Sequence, residues 1–270
     1  CRQLMRIPDH RDSIGSVHDL LAAHGVPGIE GVDTRALTLR VREHGTVLSV
    51  FGPADKELEM LEILSNMTPP DADDLVAEVT CKEAVLINEG AKDEDGKPLP
   101  RLVTIDCGIK YNILRELCRR FEVVWCPATI TFNEILEWNP DALFASNGPG
   151  DPAHGGAATN ARKNLSAAVR ADLPVMGICL GHQLMGLAAG LRTYKLRYGH
   201  RGANQPVVDL ADGRVLITSQ NHGFAVEDPN QGMLSPHPSG ACSEQVENVL
   251  GSDFTVRYIN ANDKTVEGLD

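Results

Sequence analysis

The sequence has no paired cysteine motif. Its seven cysteines, at positions 1, 81, 107, 118, 126, 179 and 242, form an odd set without a C-x-x-C spacing. That excludes a disulfide framework and a cysteine-based zinc site and fits a reducing compartment, so no metal and no resident cofactor are expected. There is no basic excess either: 25 Lys and Arg stand against 37 Asp and Glu, a net charge of −12. A nucleic-acid partner would favour a basic face, and none is expected. No apolar run approaches the roughly 18 residues of a membrane span, and Cys1 to Arg6 contain no signal-peptide apolar region. The expectation is a cytoplasmic protein with no membrane partner. What is present is ordinary for a folded chain: 270 residues, 42% hydrophobic and 23% charged, enough for two cored domains.

The most informative stretch is Leu173-Pro174-Val175-Met176-Gly177-Ile178-Cys179-Leu180-Gly181-His182-Gln183. A short apolar run ends in G-x-C-x-G, and Leu184 to Ala189 continue with the spacing of a buried helix, which places Cys179 on a strand-to-helix turn. Glycines two before and two after let the chain turn sharply, and the helix N-terminus beyond offers free N–H groups and a positive dipole end. Both features activate a thiol and hold a developing oxyanion. The pentapeptide alone also fits a buried structural cysteine, the commoner role of a free thiol.

In chain order, residues 1–82 read as one unit. Val17 to His24 is a helix closed by Gly25, and Asp33 or Thr34 caps a second helix that stops at Gly45. Thr46 to Phe51 reads as a strand and Lys56 to Leu64 as an amphipathic helix. Arg35, Arg40 and Arg42 either meet a partner or form a solvated face. Residues 83–100 are polar and aperiodic, and read as a linker. From Arg101 the pattern alternates: strands at 102–105, 122–125, 142–145 and 175–178, helices at 111–120, 132–138 and 157–170. This predicts an α/β domain over 101–270 with a doubly wound, mostly parallel sheet, preceded by a smaller α+β domain. Ligands of such sheets bind outside the carboxyl ends of the strands. At that edge lies a second loop, Ser146-Asn147-Gly148-Pro149-Gly150-Asp151-Pro152, rigid and able to approach a ligand by its backbone. After Gly190 short strands follow at 193–197, 206–209, 215–219, 255–259 and 265–268. Among them Gln220-Asn221-His222-Gly223 interrupts an apolar strand, as bulges and ligand contacts do.

The three loops 146–152, 177–183 and 220–224 on one α/β domain resemble those of the class I (triad) glutamine amidotransferases. Asp106-Cys107-Gly108-Ile109-Lys110-Tyr111-Asn112-Ile113-Leu114-Arg115, residues 219–226 and the N-terminal Gly28-Ile29-Glu30-Gly31-Val32-Asp33-Thr34-Arg35-Ala36-Leu37-Thr38 are similar to the glutaminase subunit or domain of carbamoyl-phosphate synthetase. The resemblance covers nearly the whole chain, apart from residues 241–253, which read as a surface insertion. It implies that Cys179 attacks the side-chain amide of L-glutamine, with the N–H groups of Leu180 and Gly148 holding the oxyanion. It implies further that Gly148, Gly150, Leu180, Gln183, Asn221, Gly223 and Phe224 bind glutamine, with His182 and His222 in support. The partner it implies is a carbamoyl-phosphate synthetase large subunit or fused synthetase domain. That partner uses ATP and Mg with bicarbonate to make carbamoyl phosphate for pyrimidine or arginine synthesis.

One departure stands out. The family's general base is a His followed by Pro and Glu, shortly after the segment matching residues 265–268. Here the only His-Pro is His237-Pro238, followed by Ser239. The family's N-terminal serine ligand falls before Cys1. The sequence therefore reads as a piece of a longer polypeptide, expected to turn glutamine over negligibly by itself. The alternative is a non-catalytic glutamine-binding or scaffold module.

Overall fold

The structure, a computed structural model, describes residues 1–45, 47–69, 72–228 and 254–270. Its contacts divide the chain into two compact units, Cys1–Ser49 and Val50–Asp270.

In the first unit, α1 (Val17–Ala23) begins at Ser16, whose hydroxyl accepts from Asp19 N–H, and gives way to Gly25 at φ 62°. Helix α2 (Thr34–His44) is capped by Asp33, whose carboxylate accepts from Ala36 N–H, and stops at Gly45. Such caps satisfy amides that have no partner inside the helix. Neither helix buries a residue. The strand expected at 46–51 is not found over residues 47–51, and Thr46 lies outside the described residues. Its apolar alternation meets no neighbouring strand, and an unpaired strand has no bonds to sustain it. The regular elements among the described residues of this unit are the helices α1 and α2.

The second unit opens with a 3-10 turn, Ala54–Lys56, running into α3 (Glu57–Asn66). Helix α4 (Leu75–Val79) follows, and Asp74 does two jobs there. One carboxylate oxygen caps α4 through Ala77 N–H at 3.1 Å; the other accepts at 2.9 Å from the N–H of Ala157, the first residue of the later helix α7 (Ala157–Arg170). Residues 83–100, expected as a linker, are fastened to the sheet that follows. Strand β1 (Val85–Leu86) pairs antiparallel with the later strand β3 (Glu122–Pro127), Asn88 bonds to the backbone of Cys118, Phe121 and Val123, and Gly90 N–H donates to Glu122. The polar composition that reads as flexible supplies the side-chain bonds that hold this segment in place.

Strands β2 (Arg101–Asp106), β3 (Glu122–Pro127), β4 (Ala142–Ala145) and β5 (Val175–Gly177) are parallel, and the five-stranded order is β1-β3-β2-β4-β5. Helices α5 (Tyr111–Cys118), α6 (Phe132–Glu137), α7 (Ala157–Arg170) and α8 (Leu180–Ala188) connect or follow them. Five of the six residues of β2 are buried, as expected for a parallel strand covered on both faces. Val103, Ile105 and Leu143 pack with Ile135 of α6, Leu165 of α7 and Leu184 of α8.

Beyond α8 the described residues form a closed four-stranded barrel in the order β6 (Thr193–Asp209), β7 (Val215–Val226), β9 (Val266–Leu269), β8 (Val256–Asn260), which the sequence did not announce. Strand β6 (Thr193–Asp209) is continuous where two strands were expected. The break read at 198–205 is a pair of bulges against β7 (Val215–Val226), with Gly199 at φ 70°. Strands β8 (Val256–Asn260) and β9 (Val266–Leu269) complete it. Gly186 of α8 lies against β7 so closely that an added Cβ would stand 2.9 Å from the Val226 side chain. His237 and the expected insertion at 241–253 fall outside the described residues.

Candidate active site

The site is assembled where β4 and β5 end. Ile178 N–H donates to Ala145 O and Gly181 N–H to Ser146 O, both at 3.1 Å, so the two loops are stitched together before any side chain is considered. Both elbow glycines are required by space. A Cβ on Gly177 would overlap the Gly181 backbone, and one on Gly181 would overlap the Ala145 carbonyl. Between them Cys179 is held at φ 55°, ψ −107°, a conformation that costs a residue with a side chain about 1–3 kcal/mol. This presents the thiol at the N-terminus of α8.

The thiol sits among backbone groups. Its S–H donates to Asn221 O at 3.7 Å, and the N–H groups of Leu180 and Gly148 are directed at it. Burial pushes its pKa up, opposed by those two amides and by the charges of Lys110 and Arg201. The thiols of Cys81, Cys107 and Cys126 are pushed up to about 12, chiefly by burial, without amides aimed at them from a helix start. Gly148 approaches this closely because it lacks a side chain: a Cβ there would overlap the Cys107 carbonyl and stand 2.8 Å from Leu180.

An open cavity of about 650 Å³ lies between the elbow and the barrel. Cys179, His182, Gln183, Asn221, His222 and Phe224 all line it, which brings six of the expected residues to one place. Gly148 and Leu180 contribute through their amides. Gly150 and Gly223 do not line the cavity; Gly150, at φ 90°, lies beside Leu75. Gln183 is buried and donates its amide to Phe224 O at 2.7 Å, which locks α8 to β7. His182 is also held inside, with no partner for Nε2 among the described residues, and burial lowers its pKa to about 4. His222 Nδ1 bonds to Phe224 O at 2.7 Å and its Nε2 faces Glu267 at 3.3 Å. Burial pulls His222 down, but these bonds outweigh it and raise its pKa.

Asp106 was not singled out from the sequence as a site residue, yet it shapes the loop beside Gly148. Its buried carboxylate accepts from Gly108 and Ile109 N–H and from Cys81 N–H, all at 2.8 Å. An Asp closing a strand before Cys-Gly is the local signal for such a turn.

Fold and elbow together define a class, and comparison agrees. The model of the family described as glutamine amidotransferase class-I matches residues 103–269, and the chain belongs to that family. A second model, carbamoyl-phosphate synthase small chain, CPSase domain, matches residues 1–51. The chain is 43% identical over 273 residues to the carbamoyl phosphate synthase small chains of Methanosarcina mazei and Methanosarcina acetivorans, covering 99% of this chain and 68% of each relative. It is 39% identical over 272 residues to that of Syntrophotalea carbinolica, covering 97% of this chain and 66% of the relative. Within its class, the chain belongs to the carbamoyl phosphate synthase small chains.

Proposed function

We propose that the chain hydrolyses the side-chain amide of L-glutamine at Cys179 and supplies the ammonia to a carbamoyl-phosphate synthetase partner, a large subunit or a fused domain, in the cytoplasm. The observation that carries this reading is the strained elbow, with Cys179 Sγ facing the amides of Leu180 and Gly148 at the edge of a cavity lined by Gln183, Asn221 and Phe224. The Cys179 thiolate adds to the amide carbon, and the C=O electron pair moves onto oxygen, where the two amides hold it. The tetrahedral adduct collapses as its nitrogen takes a proton and leaves as ammonia. Water then adds to the glutamyl thioester, releasing glutamate and restoring the thiol. The partner combines the ammonia with bicarbonate, using ATP and Mg.

Gln183, Asn221 and Phe224 are read as holding glutamine, Gly150 and Gly223, which do not line the cavity, as shaping the loops beside it, and His182 and His222 as supporting the wall behind it. Among the described residues the hydrogen bonds of the thiol are with backbone groups and none is with a histidine, and burial raises its pKa. We therefore assign the general acid and base to a group outside the described residues. The same observation favours, as a second reading, a module that binds glutamine without turning it over.

Replacing Cys179 by Ser in the complete protein separates the two. Loss of glutamine-dependent carbamoyl phosphate synthesis, with ammonia-dependent synthesis retained, supports the nucleophile. Glutamine turnover equal to that of the parent overturns it.

A further inference from the structure

The barrel holds a cluster whose facing side-chain atoms have no part in the chemistry proposed above, although His222 also stands in the wall of the cavity. His200 on β6, His222 on β7 and Glu267 on β9 converge, with side chains only 10–11% exposed. His200 Nδ1 stands 3.2 Å from His222 Nε2 and 3.0 Å from Glu267 Oε1, and His222 Nε2 stands 3.3 Å from Glu267 Oε2.

The opposite side of each ring shows which atoms these are. His222 Nδ1 meets the carbonyl of Phe224 at 2.7 Å, and a carbonyl only accepts, so this nitrogen carries the hydrogen. His200 Nε2 meets the Asp263 carboxylate at 2.8 Å and carries its hydrogen for the same reason. In the neutral rings the two facing nitrogens are thus both lone pairs, aimed at each other and at a carboxylate. A further acceptor, Gln220 Oε1, lies 3.4 Å from His222 Nε2. The donor that approaches His200 Nδ1, the amide of Asn260, is at 3.5 Å, too long for an effective bond. Thr265 donates its hydroxyl to Glu267 Oε1 at 2.8 Å, or to Asp263 at the same distance, and among the described residues no donor closer than Asn260 points between the two rings.

One proton on either ring serves two edges of this triangle and leaves a lone pair against the carboxylate or against the other ring. Two protons set N–H groups face to face at 3.2 Å. A single divalent cation serves all three edges. Ligand atoms bonded at about 2.1 Å around a tetrahedral centre stand about 3.4 Å from one another; the two histidine nitrogens are 3.2 Å apart, each faces a different oxygen of Glu267, and one ligand atom from each residue falls within 4.8 Å of the others. The Asp263 and Phe224 bonds reproduce the outer hydrogen bonds that fix metal-binding histidines.

We propose that His200, His222 and Glu267 form a site for a divalent transition metal, zinc by ligand type, that clasps β6, β7 and β9 of the barrel. Glu267 and Asp263 supply two negative charges to balance the ion. His222 and Glu267 also line the cavity, which gives the metal a way in and leaves a coordination position toward it. The inference does not depend on the glutaminase reading, because its readouts need no glutamine.

The test is titration of the chelator-treated protein with Co²⁺, followed by Zn²⁺. One Co²⁺ per chain is expected, with the intense visible absorption of low-symmetry coordination, displaced by Zn²⁺, and with a melting temperature that rises with metal concentration. Cys179→Ser retains the site, whereas Glu267→Gln and His200→Gln weaken it at least a hundredfold. Asp263→Asn, which removes the charge behind His200 Nε2 without touching a ligand atom, weakens it about 10–100-fold and decides the matter if the other variants fail to fold. Absence of stoichiometric binding overturns the proposal. So does binding that disappears in Cys179→Ser and survives in Glu267→Gln, or an unchanged affinity in Asp263→Asn.

Discussion

At the scale of the residue, position matters more than chemical type. Cys179 is one of seven cysteines, and what distinguishes it is a backbone conformation and two amides rather than a low pKa. The elbow glycines were legible because steric need leaves a sequence trace. The histidine cluster was not, because His200 and Glu267 lie 67 residues apart and no local motif joins them. His182 carries a prediction of its own. Burial disfavours its charged form, the Glu267 carboxylate favours it and His222 opposes it, with burial dominant, so its pKa falls from 6.5 to about 4. Between those values the unfolded chain binds a proton that the folded chain refuses. Stability therefore rises with pH across this window and is lost as pH falls from 6.5 toward 4. Urea midpoints measured at intervals between pH 4.5 and 7 should show the parent losing on the order of 1–3 kcal/mol that a His182→Asn variant does not lose. Parallel curves for the two proteins would refute the assignment.

At the scale of the element, the sequence was most readable where punctuation and periodicity agree. The ends of β4 and α7 fall where Pro, Gly and the apolar spacing put them. The barrel was less readable because its bulges carry the same Gly, Asn and Gln residues that mark loops, so β6 looked like two strands. Helix α7 has a hidden dependence. Its N-cap is Gly156, which has no side chain to bond the first amides, and the bond to Ala157 N–H comes from Asp74, which also caps α4. The two helices share one carboxylate across 83 residues of sequence. Asp74→Ala should destabilise the fold by about 1–2 kcal/mol, and Asp74→Asn, whose single carbonyl oxygen can keep one of the two bonds, by less. Equal losses in chemical denaturation would show that charge rather than capping is at work.

At the scale of the whole molecule, the α/β sheet was legible because a parallel strand buried on both faces writes a continuous apolar run. The closed barrel was not, because its pairing joins residues far apart, as in Val207 with Asn260. The comparisons place the family model over residues 103–269, a span that includes the barrel strands whose closure only the coordinates reveal. The backbone of Cys179 has a consequence for the molecule as a thermodynamic object. In most places glycine is less stabilising than alanine, by roughly 0.5–1 kcal/mol in a helix or strand. At φ 55°, ψ −107° that order should invert, since alanine keeps the strain and glycine releases it. Calorimetry of Cys179→Gly and Cys179→Ala should find the glycine variant melting higher by a few degrees, about 2–4 °C for each kcal/mol released at this chain length. The sequence would then be short of its own stability maximum at the residue proposed to perform the chemistry, and a selection for heat resistance alone would erase the thiol first.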